Sequence, residues 1–122
     1  MSVKPIFFAL DGKSLNEFEF ELKKLKNKIY GVKVGLEMFI SEGPKVVTHL
    51  KDEGWNVFLD LKLHDIPNTV KEATKSAGNI GADYLTIHIS SSKEALYEAS
   101  LNKKESLKLL GVSSALTSKA ID

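Results

Sequence analysis

The sequence predicts an α/β protein in which short buried strands alternate with helices around a parallel sheet. Five apolar runs indicate the strands, and their first residues lie 25 to 27 positions apart. Helical patterns fill the intervals, and this spacing holds one strand, one helix and two short loops. Because crossovers of this kind are right-handed and join parallel neighbours, the repeat predicts consecutive parallel strands.

The apolar runs and the helical patterns give the bounds of each predicted element. The predicted strands are 6–10, 32–34, 57–61, 84–87 and 109–112, and the predicted helices are 15–26, 43–52, 67–78 and 93–101. Pro67 lies where a first helical turn is expected, which supports the start of the third helix. No linker or low-complexity tract interrupts the pattern, so residues 1–122 are expected to form a single domain.

The composition excludes several classes of protein. With 43% apolar and 27% charged residues the chain can bury a core, and its formal charge of +1 gives no reason to expect a nucleic-acid partner. It has no Cys, which excludes disulfides and thiolate chemistry and is typical of a reducing compartment. Its apolar runs are too short to predict a membrane span or a signal peptide. We therefore expect a cytoplasmic protein that does not associate with membranes.

An ionisable residue follows or ends each of the first four predicted strands. Alternation along a strand places Asp11, Lys33, Asp60 and His88 opposite the apolar side that would pack on helices. Taken singly, Asp11 suits a turn or helix cap, Lys33 a solvated rim and His88 a structural role. Isolated ions on strands of a buried sheet are costly, so we expect these residues to meet at the carboxyl ends of the strands.

Two architectures use this repeat, the closed (β/α)₈ barrel and the open doubly wound sheet. The length of 122 residues favours the open sheet, because a complete barrel takes about 250 residues. The convergence of charged residues favours the barrel, whose active sites lie at the carboxyl ends of its strands. The pattern alone leaves both architectures open.

The most distinctive local motif is DLKLHDIPNT at residues 60–69. Asp60 and Lys62 are next-but-one neighbours on one strand face, and Asp65 follows in the turn before the helix. Nearby carboxylates keep a Lys protonated, so Lys62 can donate a proton beside a site of developing negative charge. A simple salt bridge at the strand end would explain Asp60 and Lys62, but it would not explain Lys33 on the neighbouring strand.

This motif resembles the orotidine 5′-monophosphate decarboxylase family, whose signature Asp-x-Lys-x-x-Asp-Ile followed by Pro-Asn-Thr it carries whole. Residues 9–11, 33–35 and 116–118 are similar to other segments of that family. The likeness runs along essentially all of the sequence and covers the N-terminal half of the family's chain. It implies a (β/α)₈ TIM-barrel fold of which about the first five βα units are present.

The resemblance also implies an activity and a set of site residues. The activity is decarboxylation of orotidine 5′-monophosphate to uridine 5′-monophosphate in pyrimidine biosynthesis, with Lys62 as the proton donor to C6. The implied catalytic residues are Lys33, Asp60, Lys62 and Asp65, and the implied substrate-binding residues are Asp11, Lys33, Asp60, Ile66, Thr69 and Thr117. The resemblance further implies a homodimer in which Asp65, Ile66 and Thr69 reach the partner's site, and it implies neither a metal nor an organic cofactor.

Two features depart from the family pattern. The family binds the substrate phosphate with later loops that include an Arg and a Gln, whereas all 17 basic residues here are Lys and the sequence stops after the fifth predicted strand. The sequence therefore leaves open whether the chain alone is catalytically complete. Ile89 and three serines follow His88 where the family commonly has Gly, so His88 is only a secondary candidate for the site.

Two other functions are compatible with the motif. Sugar-phosphate enzymes of the same barrel superfamily share an Asp-x-Lys-x-x-Asp element and use Mg²⁺ to stabilise an enediolate, although Lys33 and the Ile66 to Thr69 continuation favour the nucleotide enzyme. The other alternative is a non-catalytic half-barrel that dimerises through residues 65–69 and binds nucleotide weakly or not at all.

Overall fold

A computed structural model describes residues 2–113 and contains a sheet of five parallel strands. The strands are β1 (Lys4–Leu10), β2 (Ile29–Gly35), β3 (Asn56–Leu63), β4 (Tyr84–His88) and β5 (Lys108–Val112). The helices are α1 (Glu19–Leu25), α2 (Leu36–Glu42), α3 (Lys45–Asp52), α4 (Pro67–Asn79) and α5 (Lys93–Asn102), and a 3₁₀ turn over Leu15–Phe18 precedes α1. All five predicted strands are present.

The strand order distinguishes the barrel from the open sheet. A doubly wound sheet reverses its strand order at a switch point and carries helices on both faces. Here the order is β1-β2-β3-β4-β5, and every strand pairs with its neighbours in sequence. Right-handed crossovers in this order place successive helices on one face, as in a barrel. The prediction of about the first five units of a (β/α)₈ barrel is confirmed.

The main core lies between the sheet and the helices. Alternate strand residues and the inward side chains of the helices share it, and its fully buried members include Val32, Val34, Val57, Leu59, Leu85, Val47 and Leu50. Each of these strand residues belongs to the apolar face that alternation predicts. The opposite face of the sheet is therefore left for polar and aromatic residues.

Aromatic rings cover the amino-terminal part of that opposite face. The Phe7 ring meets the rings of Tyr30, Phe58 and Tyr84 edge to face, with centroids 5.3 to 5.5 Å apart. The close approach of Phe7 to β2 requires a residue without a side chain. A Cβ atom at Gly31 would lie 2.9 Å from Phe7 Cε1 and 2.3 Å from the Asn56 carbonyl oxygen.

One helix was not predicted. The interval after β2 was expected to hold a single helix over residues 43–52, but the structure has α2 there as well as α3. Gly43 ends α2 with a φ of 81°, and Pro44 then caps α3, so the two helices cannot merge. The prediction missed α2 because it buries only Met38 and leaves Leu36 and Ile40 exposed, which gives no amphipathic stripe.

Capping side chains or a proline mark the starts of the 3₁₀ turn, α4 and α5. Ser14 Oγ accepts the Asn16 N–H at 3.3 Å, and the Glu17 carboxylate accepts the Ser14 N–H at 3.1 Å. Pro67 is the first residue of α4, as predicted, and Ser92 Oγ accepts the Ala95 N–H at the start of α5. Among residues 2–113, no helix has the length and apolar character that a membrane span requires.

Replacing a core leucine should destabilise the chain far more than the same replacement at the surface. Leu59 is completely buried in β3, so we expect Leu59→Ala to lower the free energy of unfolding by about 2–5 kcal/mol. Leu101→Ala makes the same chemical change on an exposed part of α5 and should change it by less than about 0.5 kcal/mol. Urea unfolding followed by circular dichroism measures both, and equal effects would contradict the described core.

Candidate active site at the carboxyl ends of the strands

A cleft of about 600 Å³ lies at the carboxyl ends of β1, β2 and β3. Four of the predicted site residues line it: Asp11, Lys33, Asp60 and Lys62. The other lining residues are Leu10, Gly12, Gly35, Leu36, Glu37, Met38 and Leu61. Three of these come from α2, the helix that the sequence pattern did not predict. The expectation that charged strand ends would meet therefore holds for three neighbouring strands.

The Asp60 carboxylate lies at the centre of this arrangement. Its Oδ2 accepts a hydrogen bond from Lys62 Nζ at 2.7 Å, and Lys33 Nζ lies 3.8 Å from the same oxygen. Its Oδ1 accepts a hydrogen bond from the Thr86 hydroxyl at 2.8 Å. The Asp60 side chain is 11% exposed, whereas that of Lys62 is 53% exposed. A largely buried carboxylate thus holds an ammonium group that remains open to the cleft.

Lys62 reaches Asp60 through an irregular backbone rather than through regular strand alternation. The pairing of β3 with β4 passes from Leu59 opposite Leu85 directly to Leu63 opposite Ile87. Residues 60–62 therefore bulge opposite Thr86 alone, and Lys62 has a φ of 49°. Left-handed backbone is unfavourable for a residue with a long side chain and is concentrated at functional sites. The predicted pair is brought together, but the bulge accounts for its geometry.

Opposing influences act on the pKa of Asp60. Burial, the largest of them, raises the pKa, but hydrogen bonds from Lys62 and Thr86 and the positive charges of Lys62 and Lys33 lower it. The net effect holds the pKa of Asp60 below its ordinary value of 3.8. The carboxylate is therefore ionised at neutral pH and is matched by two cations, Lys62 and Lys33.

Besides the α2 residues of the cleft, the sequence analysis missed Thr86, which contacts two of the site residues. Alternation placed it on the polar face of β4, but a Thr in a strand is ordinarily a structural residue. Its side chain is buried, and its hydroxyl also accepts the Lys62 backbone N–H at 2.8 Å. No local pattern in the sequence identifies this contact, because it depends on the bulge in the neighbouring strand.

The remaining predicted residues do not line the cleft. Asp65, Ile66 and Thr69 lie at the exposed turn and first turn of α4, where Asp65 Oδ1 accepts the Ile66 N–H at 2.7 Å. Thr117 lies outside the described residues. The secondary candidate His88 is the last residue of β4, and its ring centroid lies 5.1 Å from that of His64. It does not line the cleft either.

The arrangement can present a fixed positive charge and a proton to a bound molecule. Lys62 Nζ is exposed on the cleft and is held by a carboxylate that cannot easily take its proton, since the pKa of that carboxylate is low. Within residues 2–113, no group of three or more acidic or histidine side chains is placed to hold a metal ion. An ammonium of this kind stabilises negative charge that develops beside it.

Comparison with known proteins places the chain among related sequences. A family model described as "Orotidine 5'-phosphate decarboxylase / HUMPS family" matches residues 4–120. A curated protein of Halalkalibacterium halodurans named "Orotidine 5'-phosphate decarboxylase" is 42% identical over an alignment 117 residues long, which covers 90% of this chain and 50% of that protein. The chain thus spans about half the length of the curated relatives it matches.

Solved structures of orotidine 5'-phosphate decarboxylases are also similar to this chain. The crystal structure of orotidine 5'-phosphate decarboxylase from Lactobacillus acidophilus has a TM-score of 0.77 and 28% identity, with 96% of this chain and 59% of that chain covered. The corresponding structure from Pyrococcus horikoshii OT3 has a TM-score of 0.74 and 26% identity, with 84% and 49% covered. Both likenesses extend over most of the chain.

The lowered pKa of Asp60 predicts a loss of stability in acid. A carboxylate whose pKa is lower in the folded chain than its unfolded value of 3.8 stabilises the fold fully above that value, and this contribution is lost as the pH falls through the folded-state pKa. Asp60→Asn removes this contribution at every pH. The difference in unfolding free energy between wild type and Asp60→Asn should therefore narrow between about pH 5 and about pH 2.

Urea titrations of both proteins across this pH range measure the effect. A difference that stays constant with pH would show that ionised Asp60 does not stabilise the folded chain, and it would contradict the described contacts with Lys62 and Thr86.

Proposed function

Because this chain belongs to the orotidine 5'-phosphate decarboxylase / HUMPS family, we propose that it acts in the decarboxylation of orotidine 5′-monophosphate to uridine 5′-monophosphate. The observation that carries this proposal is the exposed Lys62 ammonium, held at 2.7 Å by the largely buried Asp60 carboxylate in the cleft. The relatives named above support the same reaction through their names.

The chemistry of this reaction matches the site. When the bond from C6 to the carboxylate breaks, carbon dioxide leaves and the electron pair stays on C6 in the plane of the ring. An ammonium already positioned beside C6 stabilises this charge in the transition state more than in the bound substrate. Lys62 Nζ then gives its proton to C6 to form the product, and it takes a new proton from solvent. In this proposal Lys62 is the proton donor.

Asp60 and Lys33 complete the proposed charge network. Asp60 orients the Lys62 ammonium through their hydrogen bond, and Lys33 adds a second positive charge 3.8 Å from Asp60 Oδ2. Asp11, the residue after β1, lines the same cleft, and the family resemblance assigns Asp11 and Lys33 to the ribose hydroxyls of the nucleotide. Thr117 is assigned to the pyrimidine end by family resemblance. The proposed reaction uses no metal or organic cofactor.

The alternative of a magnesium-dependent sugar-phosphate enzyme fits the site less well. Mg²⁺ binds carboxylate oxygens and retains several water ligands. Both oxygens of Asp60 already accept hydrogen bonds, from Lys62 and Thr86, and a second ammonium lies close by. A divalent cation at Asp60 would have to displace these groups and lie beside two positive charges. The contacts of Asp60 therefore favour decarboxylation without a metal.

We also propose a homodimer in which residues 65–69 complete the site of the partner. Ile66 is 65% exposed, although it is a large apolar residue at the same edge of the sheet as the cleft. Leu36 and Ile40, on consecutive turns of α2, are exposed near the same edge. A second subunit that covers these residues would bring Asp65 and Thr69 to a site other than their own.

We further propose that the chain forms a single domain and that it acts in the cytoplasm.

Removing the Lys62 ammonium should greatly slow turnover. We expect Lys62→Ala to lower kcat for orotidine 5′-monophosphate by about 100- to 10 000-fold, the usual contribution of a positioned proton donor. Ultraviolet absorbance of the pyrimidine follows the reaction of the purified 122-residue chain. Lys75→Ala is the matched control, because Lys75 lies on α4 and does not line the cleft.

Equal activity of wild type and Lys62→Ala would contradict the proposed role of Lys62. An inactive wild-type chain would contradict catalysis by these 122 residues alone and would favour the non-catalytic half-barrel. Loss of wild-type activity on addition of a chelator would instead favour the magnesium-dependent alternative.

Mixing two inactive variants should restore activity if the sites are shared between subunits. Lys62→Ala retains Asp65, and Asp65→Ala retains Lys62, so a mixed dimer contains one site with both residues. Random subunit exchange should recover about a quarter of the wild-type activity, since half of the dimers are mixed and each has one intact site. Absorbance assays of the mixture and of each variant alone measure this recovery, and a mixture as inactive as its components would contradict shared sites.

A further inference from the structure

We propose that Thr86 is a positioning residue that holds the Asp60 carboxylate and the Lys62 backbone in their working geometry. The proposal rests on the proposed function, because Asp60 and Lys62 matter to catalysis only if the site carries out the reaction. Thr86 lies on β4, does not line the cleft and acts through these two residues.

The chemistry of its neighbours determines the direction of both hydrogen bonds at Thr86. A backbone N–H can only donate, so the Thr86 oxygen accepts from Lys62 at 2.8 Å. An ionised carboxylate can only accept, so the Thr86 hydroxyl proton points to Asp60 Oδ1, also at 2.8 Å. One hydroxyl therefore joins the two residues through both of its hydrogen-bonding functions.

The first consequence concerns the carboxylate. With Oδ1 bound to Thr86, the other oxygen, Oδ2, is directed at Lys62 Nζ and Lys33 Nζ. The two oxygens of Asp60 thus have separate partners, one on β4 and one on the cleft side. Without the Thr86 hydroxyl, the carboxylate could rotate about its last bond and change its distance to both ammonium groups.

The second consequence concerns the backbone of Lys62. Residues 60–62 bulge opposite Thr86, so regular strand pairing does not provide a partner for the Lys62 N–H. The Thr86 oxygen provides that partner for a residue whose φ is 49°. An amide without a partner in a partly buried site is costly, so the hydroxyl stabilises the left-handed conformation from which Lys62 reaches Asp60.

The two hydrogen bonds are tested by removing the hydroxyl while keeping the branched shape of the side chain. Thr86→Val should lower kcat by about 10- to 100-fold, the range for hydrogen bonds to charged groups, and change KM by less than about threefold. The pKa of the Asp60 carboxyl, followed by carbon-13 NMR, should rise, because a hydrogen bond to its charged form is lost. The amide signal of Lys62 should shift.

Two further variants separate positioning from packing. Thr86→Ser keeps the hydroxyl and should retain kcat, the Asp60 pKa and the Lys62 amide signal close to their wild-type values. Thr74→Val is a matched control, because Thr74 on α4 is equally buried and its hydroxyl has no hydrogen-bond partner among the described residues. It removes a buried hydroxyl without changing the site, so all three readouts should stay at wild-type values.

The outcomes distinguish failure of this proposal from failure of the proposed function. An inactive wild-type chain counts against the function, while the Asp60 titration and the Lys62 amide signal still test the positioning directly. An unchanged Asp60 pKa and Lys62 amide in folded Thr86→Val would overturn the proposal. If Thr86→Val does not fold, the serine variant decides, and a folded Thr86→Ser with a raised Asp60 pKa would overturn it equally.

Discussion

The organisation of the site depends on a single carboxylate that bonds to groups from three strands. Asp60 on β3 accepts from Lys62 on its own strand and from Thr86 on β4, and it pairs with Lys33 on β2. Burial of a carboxylate is unfavourable unless its charge is compensated, and here two cations and a hydroxyl compensate it. The groups that compensate the buried charge of Asp60 are therefore also the groups to which the proposed chemistry is assigned.

The sheet provides the conditions that this carboxylate needs. Parallel strands in sequential order bring the ends of β2, β3 and β4 side by side, and the apolar side chains on the helix-facing side provide the stabilising core. Aromatic rings around Phe7 fill the amino-terminal part of the other face. The charged cluster of Lys33, Asp60 and Lys62 lies at the other, carboxyl end of that face, in the cleft.

Much of this could be predicted from the sequence, because it depends on periodicity. The strand repeat gave the five strands, and alternation gave the face on which Lys33 and Asp60 lie. The helix α2 could not be found in this way, since it buries too few residues to leave a pattern. Thr86 could not be found either, because its role depends on a bulge that the residue types of β3 do not predict. Long-range contacts of this kind become visible only in three dimensions.

The roles proposed for residues 65–69 also depend on contacts that a sequence pattern does not show. The motif identifies them in the sequence, but their side chains lie on an exposed turn of this chain. A single chain shows where such residues are placed, whereas their function depends on what covers them.

The bulge at Lys62 also bears on the order in which the site can assemble. Thr86 lies 24 residues beyond Lys62 on β4, the strand that pairs with β3 on the side away from β2. Chains are made from the amino terminus, so β3 is synthesised before β4. Until β4 docks, the Lys62 amide lacks its described partner and the Asp60 carboxylate lacks one of its donors. The charged pair can thus be synthesised early yet reach its described geometry only when the fourth strand is in place.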